Sequence, residues 1–152
     1  MPMRVVGVEI AKTDVHWLLL DGAVSSGSIV HMSSDKLELP KSEASAVENY
    51  LTLKNLILAD IAKAQPGKVT VIKATRYASV DRAKIELLFQ LACHEINIPC
   101  ELIHPVTIST IMKKKFVLIV GQTPEDAFNG GAEISPKHLI KPFYCAWKGI
   151  HG

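Results

Sequence analysis

At 152 residues, with 48% hydrophobic and 21% charged side chains, the chain is long enough to bury one core and too apolar for general disorder. Its formal charge of +2 is too small to mark a nucleic-acid binder unless the positive residues gather on one face. Cys93, Cys100 and Cys145 cannot all pair within one chain, and no run approaches the ~20 apolar residues of a membrane span. With no small-residue cleavage site near the N-terminus either, the sequence predicts a reduced, cytoplasmic protein without a membrane partner.

The first predicted strand carries Val5, Val6, Val8 and Ile10, with Gly7 and Glu9 set among them. A nearly continuous run of branched apolar residues belongs to a strand buried on both faces, hence central in a sheet. Glu9 is the exception, since a carboxylate there is costly unless paired or used. After Ala11–Lys12–Thr13 a second strand runs from Val15 to Leu20 and ends at Asp21-Gly22, a hairpin-turn pair. Ser28 to Met32 is the third strand, with Lys36–Leu39 as its continuation up to Pro40. Short turns between sequential strands imply an antiparallel meander.

Ser45-Ala46-Val47-Glu48 has the form of a capping box, with Ser42 a second candidate cap, and opens a helix that should stop near Gln65-Pro66-Gly67. Val47, Tyr50, Leu51, Leu58 and Ile61 predict its apolar stripe, widened by Leu53, Leu56 and Ile57. Val69–Ile72 is a short buried-type strand ending at Lys73, followed by a helix from Ser79 or Asp81 to about Asn97. Val80, Ala83, Leu87, Leu88, Leu91 and Ile96 form its predicted stripe. Ile85 and Phe89 broaden it enough to seat a second helix or a second copy of the chain. Cys100–Ile103 is the fifth strand, and Pro105 starts a helix over Val106–Lys115.

Strand–helix–strand alternation implies parallel pairing with right-handed crossovers. The prediction is therefore an α/β domain over residues 1–152: three antiparallel strands, then two parallel ones, with helices on both faces. Thr123-Pro124-Glu125-Asp126 is a strong helix start stopped early by Gly130-Gly131, and Ser135-Pro136 is another start with Pro142 inside its segment. Residues 134–152 read as a C-terminal tail.

Gly7-Val8-Glu9 on a first strand, the meander and the later parallel strands resemble the ribonuclease H-like fold, and within it the RuvC-type Holliday-junction resolvases. More narrowly, the chain resembles a small bacterial domain-of-unknown-function family of that superfamily. The likeness spans roughly residues 4–129. It implies phosphodiester cleavage by two divalent cations held between carboxylates, which suit hard ions and stabilise attacking and leaving oxygens together. It also implies an acid on the first strand, one at the end of the fourth, and one or two starting the last helix.

Carried over by position, Glu9 matches the first acid, and Glu125 and Asp126 match the last. The implied catalytic residues are Glu9, Glu125 and Asp126, with Glu9 and Asp126 as ligands of Mg²⁺ or Mn²⁺. The fourth-strand position falls on Ile72-Lys73, where resolvases carry an apolar residue and then Glu. An ammonium there supplies no ligand, repels a cation, and would neutralise Glu9 if the two side chains met. The expected protein is a catalytically degenerate relative that contacts nucleic acid or a protein partner. The alternatives are a metal-dependent nuclease and a homodimeric interaction module joined through the Val80–Ile96 face.

Lys12, Lys73, Arg76 and Arg82 fall in loops or at element ends. In this fold Lys12, Lys73 and Arg76 would project on the Glu9 side of the sheet and attract phosphates. Lys113-Lys114-Lys115 is better explained as a solvated helix end. Cys93, His94, Cys100 and His104 lack the spacing of a zinc site, and Ser25-Ser26-Gly27-Ser28 lacks the ending of a phosphate loop.

Overall fold

The computed structural model describes residues 3–23, 28–41, 45–76, 78–114 and 137–151. The branched N-terminal run forms β1 (Met3–Ala11) at the centre of a five-stranded sheet. On one side β1 pairs antiparallel with β2 (Asp14–Ala23), which pairs antiparallel with β3 (Ser28–Glu38). On the other it pairs parallel with β4 (Lys68–Ile72), which pairs parallel with β5 (Cys100–Ile103). The order β3-β2-β1-β4-β5 is the mixed sheet predicted from the sequence. Val5, Val6, Val8 and Ile10 are all buried, as a strand covered on both faces requires.

One turn assignment is corrected. Asp21 and Gly22 do not form a hairpin turn; β2 carries them onward, opposite Arg4 and Met3 on β1. Arg4 Nε lies 3.9 Å from the Asp21 carboxylate, so the pair of residues read as a turn is held in strand by its neighbour. A register irregularity between Leu19 and Leu20 lets β3 run unbroken beside β2.

The helix ends follow their local signals. In α1 (Ala46–Ala64) the Ser45 hydroxyl accepts the Glu48 N–H at 3.3 Å. Gln65, at φ 51°, ends the helix by donating its N–H to the Ile61 carbonyl at 2.9 Å. In α2 (Val80–Glu95) the Ser79 hydroxyl accepts the Arg82 N–H at 3.2 Å. The faces differ from expectation. Leu53, Ile57, Ile61 and Ala64 of α1, and Ile85, Leu88, Phe89, Ala92 and Cys93 of α2, are the buried residues. Val47, Leu51, Val80, Leu87 and Leu91 stay exposed. Both helices are apolar around more than one face, and three- and four-residue spacing fits either. Packing against the sheet and against each other selects, with Lys54–Glu95 at 3.0 Å and the Tyr50 hydroxyl donating to Asp81 tying α1 to α2.

The opposite face is covered by α3 (Pro105–Lys114) and by the C-terminal segment. A 3-10 turn, Lys137–Leu139, leads into α4 (Ile140–His151), so the stretch read as a tail supplies a core helix. Phe143, Ala146, Trp147 and Ile150 of α4 pack with Val5, Leu18, Leu20 and Ile72 of the sheet and Ile108 of α3. Pro142 is tolerated because it lies in the first turn, where its missing N–H has no intrahelical acceptor to lose.

Glycine permits the crossing. A Cβ on Gly7 would come within 2.0 Å of the Pro142 carbonyl oxygen and 2.5 Å of the Ala146 nitrogen. One on Gly149 would come within 2.6 Å of Thr70 Cγ2. Helix and sheet thus touch backbone to backbone, and the buried Thr70 hydroxyl donates to the Cys145 carbonyl at 2.9 Å. No helix among the described residues is long and apolar enough to cross a membrane.

Candidate functional site

Alternation along β1 sends Val6, Val8 and Ile10 to the α1–α2 side and Val5, Gly7 and Glu9 to the α4 side. Glu9 therefore emerges at the carboxyl ends of the parallel strands, beside the end of α4's covering. There it borders a cleft of about 210 Å³ lined by Ile72, Arg82, Ile108, Ser109 and Lys141. Open α/β sheets place ligands beyond the carboxyl ends of their strands, and this cleft occupies that position.

The Glu9 carboxylate lies 3.6 Å from Lys141 Nζ, with Glu9 20% and Lys141 56% exposed. The expected partner was Lys73, and the strand period explains the difference. Val69 and Val71 face α1 and α2, while Thr70 and Ile72 face α4, so Lys73 is turned away from Glu9. The cation on Glu9 comes instead from the first turn of α4, next to the proline that lies over Gly7. Lys73 remains exposed.

Arg82, in the first turn of α2, also lines the cleft. Its Nε is buried with no hydrogen-bond partner among the described residues. A buried donor left unpaired is expensive, and an acceptor entering the cleft would satisfy it. The loop ahead of α2 is fixed by Ala74, whose N–H donates to Glu86 Oε1 at 2.8 Å.

Two histidines extend the site. His16 stands opposite Glu9 in the β1–β2 register, and its ring lies 4.6 Å from that of His138, in the turn before α4. Burial, then the neighbouring His138, holds the His16 pKa below 6.5, against the opposing pull of Glu9. The unfolded chain therefore takes up this proton first as pH falls, and stability declines from near pH 6.5 down to the folded-state value. Urea midpoints should fall on acidification through this window, and His16→Gln should flatten that fall. An unchanged slope would show that His16 does not carry this pH dependence.

Of the residues predicted for the site, Glu9 lines the cleft, and Lys12, Lys73 and Arg76 are exposed at or just beyond the same strand ends. Lys12 adopts φ 59° in the β1–β2 turn. Glu125 and Asp126 lie outside the described residues, as does Lys115. His16, Arg82, His138 and Lys141 were not placed at the site from sequence. Counting back from the Lys12 turn would have set His16 across from Glu9, but nothing local marks Lys141.

The resemblance to the resolvases led us to expect paired divalent cations. Among the described residues Glu9 is the only carboxylate lining this cleft, it faces an ammonium, and no group of three His, Cys, Asp or Glu side chains is suitably placed to hold a metal. Those described donors do not by themselves fit a hard divalent ion, which needs several oxygens and no adjacent cation.

No protein-family model and no curated protein matches the chain. Solved structures do. Thermus thermophilus RuvC, in complex with a Holliday junction substrate, is 15% identical, with 95% of this chain and 90% of that one covered at a TM-score of 0.70. Fowlpox virus resolvase, in complex with Holliday junction DNA, is 12% identical over 97% of each chain at 0.63. The yeast mitochondrial Holliday junction resolvase Ydc2 is 12% identical, covering 97% of this chain and 81% of that one at 0.58. Sheet order, strand directions and covering helices together give this chain the ribonuclease H-like α/β fold of the RuvC-type Holliday-junction resolvases.

Proposed function

We propose that this chain binds nucleic acid, branched DNA in particular, through the Glu9 cleft and its basic rim, and does not cut it. The observation that carries this reading is the salt bridge from Lys141 to Glu9: an ammonium occupies the neighbourhood where clustered acids would hold metal. Arg82, which also lines the cleft, adds an unsatisfied buried donor. Both cations suit a phosphate, which a guanidinium grips through several N–H groups at once. Ser109 supplies a hydroxyl beside them, and the exposed Lys12, just past the end of β1, extends the positive rim. Two solved relatives of the fold hold Holliday junctions, which makes the four-way junction the first ligand to try.

The test measures binding of labelled junction, duplex and single-stranded DNA across a salt series, with Mg²⁺ or Mn²⁺ added for cleavage. The expected result is junction binding that weakens linearly in log salt, without strand scission. Scission that disappears in Glu9→Gln and Asp126→Asn would replace this reading with that of a metal-dependent nuclease. Absence of binding to every nucleic acid would overturn both.

A further inference from the structure

The segment that brings Arg82 to the cleft is held from within and from outside. Within it, the Ser79 hydroxyl accepts the Arg82 backbone N–H at 3.2 Å, and Glu86 Oε1 accepts the Ala74 N–H at 2.8 Å. The Ala78 N–H donates at 2.9 Å to the carbonyl of Thr75, another residue that lines the cleft. The outside hold comes from α1. There the Tyr50 hydroxyl donates to the carboxylate of Asp81, the residue before Arg82. Lys84 Nζ, from the same end of α2, lies 5.4 Å from the centre of the Tyr50 ring. Burial, then the bond to Asp81, pushes the Tyr50 hydroxyl up to about 12, so near neutral pH it is always a donor.

This bond is out of place for a purely local brace. α1 packs through Leu53, Ile57 and Ile61 into the core on the sheet face away from Glu9. Tyr50 does not line the cleft, yet it grips the turn that carries Arg82. The first turn of a helix has N–H groups that no helical carbonyl accepts, so it is the part most in need of outside support. A guanidinium on a loose turn must be ordered when the ligand arrives, and that ordering weakens binding. A turn fixed beforehand removes part of the penalty.

We propose that Tyr50 is a positioning residue for the cleft: by holding Asp81 it fixes the first turn of α2 and so aims Arg82, without touching the ligand. The inference rests on the phosphate reading of the cleft. It couples α1, packed on the far side of the sheet, to binding at the strand ends.

The test is a double-variant cycle in junction binding, with wild type, Tyr50→Phe, Arg82→Ala and the two changes combined, all confirmed folded by circular dichroism. Phe keeps the ring and removes only the hydroxyl. Tyr50→Phe should weaken binding about fivefold in the wild-type background, with an unchanged salt slope because no charge is lost. In the Arg82→Ala background the same change should matter by less than about twofold. Asp81→Asn, whose amide oxygen still accepts the phenol, should bind no more weakly than wild type. Tyr50→Phe equal to wild type, an equal loss in both backgrounds, or Asp81→Asn as weak as Tyr50→Phe would each overturn the proposal and leave the phosphate cleft standing. A wild type that binds no DNA would overturn the phosphate reading and this inference together.

Discussion

Gly7→Ala should destabilise the protein by at least about 3 kcal/mol, among the largest effects of any single methyl group added to this chain. The new Cβ would lie 2.0 Å from the Pro142 carbonyl oxygen and 2.7 Å from Ala146 Cβ, both parts of a packed helix rather than ends of flexible side chains. Relief requires α4 to lift from the sheet. That movement loosens Phe143 and Ile150 in their core and separates Gly149 from Thr70, whose hydroxyl then loses the Cys145 carbonyl. Gly67→Ala is the control, since its nearest atom, the Arg4 carbonyl oxygen, is 3.7 Å from the added carbon. Denaturant unfolding of the two variants beside the wild type gives the comparison. A loss under about 1 kcal/mol in Gly7→Ala would mean that α4 does not rest on β1 as described.

The second large effect concerns binding and has a sign that separates two readings of one residue. If the cleft receives phosphate, Arg82→Ala and Lys141→Ala should each weaken junction binding on the order of tenfold, the scale of a lost charged hydrogen bond. Each should also reduce the salt slope by about one. Glu9→Gln should strengthen binding, because it removes the negative charge and frees the Lys141 ammonium 3.6 Å away. A metal-dependent nuclease predicts something else: Glu9→Gln would abolish activity and leave Lys141 without an evident task. Circular dichroism of each variant keeps a folding defect from passing as a binding defect. Weaker binding in Glu9→Gln would reject the phosphate cleft.

The sheet was legible because its signals are local and redundant. A branched apolar β1, short connections in the first half and helix-separated strands in the second leave few arrangements open. Caps at Ser45 and Ser79 were equally readable, being hydrogen bonds between a residue and the N–H three positions on. Helix faces were less so. Ile85 and Phe89 were taken as breadth and are the core of α2, because a helix apolar all round does not say which stripe meets the sheet. The cleft was half legible. Glu9 stood out as an acid in an apolar strand, but its partner depended on the whole-chain placement of α4. Strand period alone, applied past Ile72, would have removed Lys73 from consideration.

The close seat of α4 on β1 also bears on synthesis. Among the described residues, α4 covers β1 although β2 to β5 and α1 to α3 lie between them in the chain. While a ribosome is still adding those elements, Val5, Leu18, Leu20 and Ile72 have no lid, and the Gly7 groove is an open apolar furrow. Contacts joining such distant parts of a chain form slowly and late. The sheet should therefore stay uncovered on this face until α4 has been made, and the nascent chain should depend on chaperones until then.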